Sequence, residues 1–149
     1  MKFNRPKYLP GLTLKILLGN HVYLTVSYDE YGIVELFSQA GKVKSDSKEA
    51  AELDADLRAH SEAISRLVSR ALQQARTVED RTDILKTLAK TLRGIQGHSS
   101  GYNTNGVFLH SLPDAIGWVL QGCPDRESKP TLDVINYPGP KMEAEDDKP

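Results

Sequence analysis

What most constrains this chain is a change of hydrophobic period near Gly41. From Leu12 to Phe37 the residues are rich in Leu, Ile, Val, Tyr and Thr, and two turn signals, Gly19-Asn20 and Asp29-Glu30-Tyr31-Gly32, divide them into three runs. In the middle run Val22, Leu24 and Val26 alternate with Tyr23, Thr25 and Ser27. A period of two belongs to a strand with one buried face, so the three runs predict an antiparallel meander over about 12–37 whose other face stays wet. Beyond Gly41, Leu53, Leu57, Ile64, Leu67, Val68, Ala71 and Leu72 recur at spacings of three, four and seven. That is the period of a helix with one apolar stripe. The fold class that follows is α+β: a three-stranded meander packed by a long helix and whatever helices come after it.

Punctuation sets the remaining boundaries. Ser47 is an N-cap residue type, followed by Glu49 and Glu52 where carboxylates favour the positive end of a helix. The first half of this helix is mostly Ala and charge, with room for a break near His60, and is expected to project from the core. Thr77 and Asp80 have the spacing of a capping pair, and Ile84, Leu85, Leu88 and Leu92 mark a second amphipathic helix that Gly94 stops. A third, short helix should begin at Ser111, with Pro113 in its first turn, Asp114 as the capping partner, an apolar face of Leu112, Ala115, Ile116, Val119 and Leu120, and Gly122 as its stop. Residues 1–10 read as a leading arm, 11–122 as the α+β domain, and 123–149 as a tail expected to be mostly disordered. The tail holds five prolines, an acidic cluster of Glu143, Glu145, Asp146 and Asp147, and few apolar residues.

Between the second and third helices, Gly94 to Gly106 carries four glycines with His98, Ser99, Ser100, Asn103, Thr104 and Asn105, and is expected to be a loop without regular structure. Backbone N–H groups and hydroxyls near a helix N-terminus are the ingredients of an anion or phosphate site. Gly94, Gly97, His98, Ser99, Ser100, Asn103, Asn105 and Ser111 are therefore the candidate ligand-binding residues. The segment lacks the lysine of a Walker loop and the spacing of a dinucleotide fingerprint, so a connector ordered by a partner is the competing reading.

Composition removes several classes of function. Lys plus Arg (19) nearly equals Asp plus Glu (20), so no general field draws the molecule to nucleic acid or an anionic membrane. A strip of Lys42, Lys44, Arg66 and Arg70 reads as a solvated face. The longest apolar stretch, Leu12 to Leu18, is short and broken by Thr13 and Lys15, so neither secretion nor membrane insertion is expected, and a reducing cytoplasm fits the single cysteine, Cys123. His21, His60, His98, His110 and Cys123 show no metal-ligand spacing, and no metal site is predicted. His60 with Glu62 imitates the H-x-E of zinc deaminases without their cysteine pair, and no G-x-S-x-G elbow occurs. No catalytic residue is assigned.

Some residues carry a resemblance as a set. They are Arg5-Pro6, Gly11-Leu12-Thr13, Asp29 to Gly32, Gly41-Lys42, Glu62-Ala63, Arg66-Leu67, Ser69, Ala71-Leu72, Leu92, Gly94-Ile95, Gly97, and Ser111-Leu112-Pro113-Asp114-Ala115-Ile116. Over Leu9 to Gln121 this resembles the TSCPD domain, found near the C-terminus of adenosylcobalamin-dependent (class II) ribonucleotide reductases and in small free-standing proteins. Members that give the domain its name have a cysteine in the final motif and another near the preceding glycine turn, where this chain has Leu112 and Gly97-His98.

The resemblance implies a role in deoxyribonucleotide synthesis. Reduction itself needs a thiyl-forming cysteine, two electron-delivering cysteines, a cobalamin-binding barrel and a C-terminal cysteine pair, and one cysteine cannot supply these. The expectation is an accessory module without catalysis of its own, whose partner is a class II catalytic chain and whose adenosylcobalamin sits on that partner, with no cofactor held by this chain. The alternative is an independent binder of a nucleotide or phosphate through residues 94–106. Self-association stays open.

Overall fold

The run of alternating residues resolves into three strands, β1 (Gly11–Leu18), β2 (Asn20–Asp29) and β3 (Gly32–Ala40), joined as an antiparallel sheet in the order β1-β2-β3. This computed structural model describes residues 8–18, 20–40, 47–97, 100–102 and 107–122. The strands are followed by α1 (Lys48–Gln73), α2 (Val78–Leu92), a two-residue pair β4 (Gly101–Tyr102) and β5 (Phe108–Leu109), and α3 (Leu112–Leu120). The expected tail at 123–149, most of the leading arm and Lys42 with Lys44 lie outside the described residues.

Period two does what the sequence leads one to expect. Ile16, Leu18, Val22, Leu24 and Val26 are buried on one face, while Thr13, Lys15 and Leu17 alternate with them and are exposed. Register makes the face continuous, with Leu14 opposite Leu24 and Val26 opposite Leu36. One irregularity matters. Ser27 pairs with Glu35 and Tyr28 with Ile33, which leaves Val34 as an extra residue in β3. Ile33 and Leu36 are three apart and would face opposite ways in a regular strand; the bulge lets both enter the core.

Helix α1 lies along β3 and closes that edge of the sheet. The Ser69 hydroxyl accepts from the Leu36 N–H and donates to the Leu36 C=O, both at 2.8 Å, so it occupies groups that β3 turns away from β2. Ser61 and Ser65 precede Ser69 at helical spacing and are buried, and the short side chains allow helix and strand to approach closely. Covering a free edge in this way removes a template for unwanted strand pairing.

The helix runs unbroken through His60, contrary to the expected break. No Gly or Pro lies between Lys48 and Gln73, and surface pairs Asp54–Arg58 and Glu62–Arg66 span that stretch at i,i+4. Its first half is largely exposed, as its composition implied.

The caps fall where they were read. Ser47, Thr77 and Ser111 each accept a bond from the N–H three residues on, and Gly94 and Gly122 follow their helices with φ of 82° and 85°. Two features correct the sequence reading. The segment 94–106 is not wholly irregular, because Gly101–Tyr102 pairs with Phe108–Leu109 and a Cβ on Gly101 would meet the Leu17 carbonyl at 2.3 Å. And α3 is more than a helix with one apolar face: every residue in it except Pro113 is buried. It lies against α2 so closely that a Cβ on Gly117 would stand 3.0 Å from both the Ala89 carbonyl and the Arg93 nitrogen.

Candidate functional site

Two places concentrate polar groups. The first is the junction where α2 ends and α3 begins. Asp114, 1% exposed, accepts from the Gly94 N–H, the His110 N–H and the Arg93 guanidinium, each at 2.8 Å. Ser111 receives the Asp114 N–H at 3.2 Å and donates to the Ile95 carbonyl at 2.6 Å, and the Gly97 N–H donates to the His110 carbonyl at 3.1 Å. A Cβ on Gly97 would stand 2.8 Å from that of Ser111. Sequence reasoning took Asp114 as a capping partner, and the carboxylate does more: it fastens the helix start to the turn that ends α2.

Of the candidate ligand-binding residues, Gly94, Gly97 and Ser111 come together here, and each commits its N–H or hydroxyl to an internal partner. Ser100 is exposed beside Gly101. His98, Ser99, Asn103 and Asn105 lie outside the described residues.

The second place is the outer face of the sheet. A groove of about 390 Å³ opens there between Thr13, Tyr23, Thr25, Phe37, Ser38 and Gln39. Thr13, Thr25 and Phe37 follow one another across the three strands, and the two threonine hydroxyls share a hydrogen bond of 2.8 Å. Lys15, Tyr23 and Gln39 form the next row. Phe37 is 53% exposed, so an aromatic ring is displayed rather than packed. Strand parity alone could have found this surface, because Tyr23 falls among the wet positions; Phe37 joins it only through the bulge-shifted register of β3. At the hairpin tip beyond, the Tyr31 phenol is held above its ordinary value of 10.0, first by its hydrogen bond to Glu30 and then by that carboxylate's charge.

A model of the TSCPD domain family matches residues 1–122. The chain belongs to the TSCPD domain family. No curated protein and no solved structure matches it.

In this TSCPD domain the stretch Ser111 to Ile116 forms the α3 end of the junction just described, where Ser111 and Asp114 are both buried. Leu112 is 3% exposed within the hydrophobic core. Among the described residues no three His, Cys, Asp or Glu side chains group as a metal site, and no helix is long and apolar enough to cross a membrane. Cys123 falls beyond the matched residues.

Proposed function

We propose that this TSCPD domain is an accessory module of an adenosylcobalamin-dependent ribonucleotide reductase system, docking to or completing a separately encoded catalytic chain in deoxyribonucleotide synthesis. The family match over residues 1–122 carries the proposal, and the single cysteine directs it toward a partner rather than toward independent reduction. A reductase must move two electrons through a cysteine pair and regenerate it, so those thiols, the radical-forming cysteine and the cobalamin belong to the other chain. Commitment of Gly94, Gly97 and Ser111 to internal bonds favours this reading over a phosphate site built from the same residues. The outer sheet face, with its displayed Phe37, is the docking surface this reading uses.

Addition of the purified full chain to a class II catalytic chain lacking such a domain tests the proposal. Reductase turnover or its response to nucleotide effectors is expected to change, and Phe37→Ala to weaken the effect. Turnover and effector response indifferent to the added chain at saturating concentration would overturn it.

A further inference from the structure

The outer sheet face carries polar groups that the fold leaves unused. The Lys15 ammonium, the Tyr23 hydroxyl and the Gln39 amide have no hydrogen-bond or ion-pair partner among the described residues. They form one row across the strands, Lys15 on β1, Tyr23 on β2 and Gln39 on β3. Thr13, Thr25 and Phe37 form the row beside it, and the threonine hydroxyl that accepts in their shared hydrogen bond keeps its own O–H to donate. Between the rows, with Lys15 at its margin, opens the groove of about 390 Å³, a volume within the range of small-molecule sites.

We infer that this groove binds a nucleoside monophosphate, its planar base held by Tyr23 and Phe37 and its phosphate by Lys15. The register supplies the spacings. Tyr23 pairs with Gln39 and Thr25 with Phe37, so the two aromatic residues are diagonal neighbours across β2 and β3. Such neighbours stand roughly 7–8 Å apart, and two stacking distances of about 3.5 Å span the same gap, so one planar ring fits between their side chains. Lys15 and Gln39 lie two strands apart, about 9–10 Å, comparable to the reach from a base edge to the phosphate of the same nucleotide. The Gln39 amide presents a donor and an acceptor side by side, the pair that the polar edge of a base complements. The free threonine O–H lies between, where the ribose passes.

Charge orients the ligand. Glu35, two residues before Phe37 on the same face, is 5% exposed and already engaged, so it does not turn a phosphate away from Lys15 at the opposite corner. One cation holds one phosphate, whereas a nucleic-acid strand calls for several along its path, which this groove lacks. Binding is expected of the free chain with no catalytic chain present, so its absence would leave the accessory role standing. Docking at the same face would compete with the nucleotide for Phe37.

Titration of the isotopically labelled full chain, followed by backbone amide NMR shifts, tests this with adenosine monophosphate, adenosine, ribose phosphate and a short oligoadenylate as probes. Adenosine monophosphate is expected to shift the amides of Thr13, Tyr23, Phe37 and Gln39 saturably, with a Kd of about 0.1–1 mM for an open groove with one cation. Adenosine should bind roughly two- to fivefold more weakly for want of the Lys15 pair, and Lys15→Gln should abolish that difference without changing the affinity for adenosine. Phe37→Ala should weaken the nucleotide by at least about fivefold. Both positions are exposed, and circular dichroism establishes that each variant folds.

Ribose phosphate binding as tightly as the nucleotide would reduce the site to a phosphate caught by Lys15 and overturn the inference. So would the absence of saturable shifts at several millimolar nucleotide, shifts confined to residues 94–106, or an affinity indifferent to Phe37→Ala. An oligoadenylate bound much more tightly than the mononucleotide would make the face a strand-binding surface and equally overturn it.

Discussion

Replacing Asp114 by Asn probes the junction that the family motif builds. The carboxylate is 1% exposed and receives three donors at 2.8 Å: two backbone N–H groups, of Gly94 and His110, and the partly exposed guanidinium of Arg93. An asparagine of the same shape keeps one acceptor oxygen and turns an NH2 toward a donor. One buried N–H is then left facing another donor, which costs about 1–3 kcal/mol. Loss of the ionic partner of Arg93 adds about 0–1 kcal/mol, since the guanidinium is 29% exposed and solvent screens it. The sum is about 1–4 kcal/mol. At roughly 4 °C per kcal/mol for a domain of this size, the midpoint of thermal unfolding should fall by about 4–16 °C. Urea unfolding monitored by circular dichroism gives the same quantity from the shift in midpoint at constant slope. Glu62→Gln, which breaks an exposed ion pair on α1, is the control and should stay within about 0.5 kcal/mol. If D114N proved as stable as the control, the carboxylate would not fasten α2 to α3.

Three further substitutions address other joints. Asp29→Ala removes the two hydrogen bonds that Arg81, 3% exposed, donates to the carboxylate oxygens at 2.6 and 2.9 Å; unfolding should become easier by about 1.5–3 kcal/mol by denaturant titration. Gly117→Ala forces a methyl to within 3.0 Å of the Ala89 carbonyl and the Arg93 nitrogen, and a loss of about 1–3 kcal/mol is expected from the same measurement. Ser69→Ala deprives both Leu36 backbone groups of their partner at once; unfolding should become easier by about 1–3 kcal/mol, with faster hydrogen exchange at the Leu36 amide.

The parts legible in advance are those whose causes are local. Alternation around Leu24 and the capping residues Ser47, Thr77 and Ser111 act through residues within a few positions, so their pattern sits in the sequence itself. The glycines after α2 and α3 are read for the same reason. What escaped depends on residues far apart. Arg81 and Asp29 are 52 positions from one another, and an arginine at helical spacing reads as surface until the β2–β3 hairpin closes on it. Ser61, Ser65 and Ser69 look like a polar stripe, yet they face β3 because only small side chains allow α1 to lie along that edge. Two-residue strands such as β4 and β5 carry no period to detect. For the candidate site, reading glycines and hydroxyls as a ligand cradle could not show that Asp114 and the His110 and Ile95 carbonyls consume the groups of Gly94, Gly97 and Ser111. The outer groove was visible only as the wet face of a sheet, with no indication that Phe37 would stand open within it.

The most direct test of the accessory role is calorimetric titration of the full chain into a purified class II catalytic chain. Saturable binding at one domain per catalytic chain, weakened by Phe37→Ala, is the result expected. Absence of heat and of co-sedimentation at concentrations well above micromolar would contradict it.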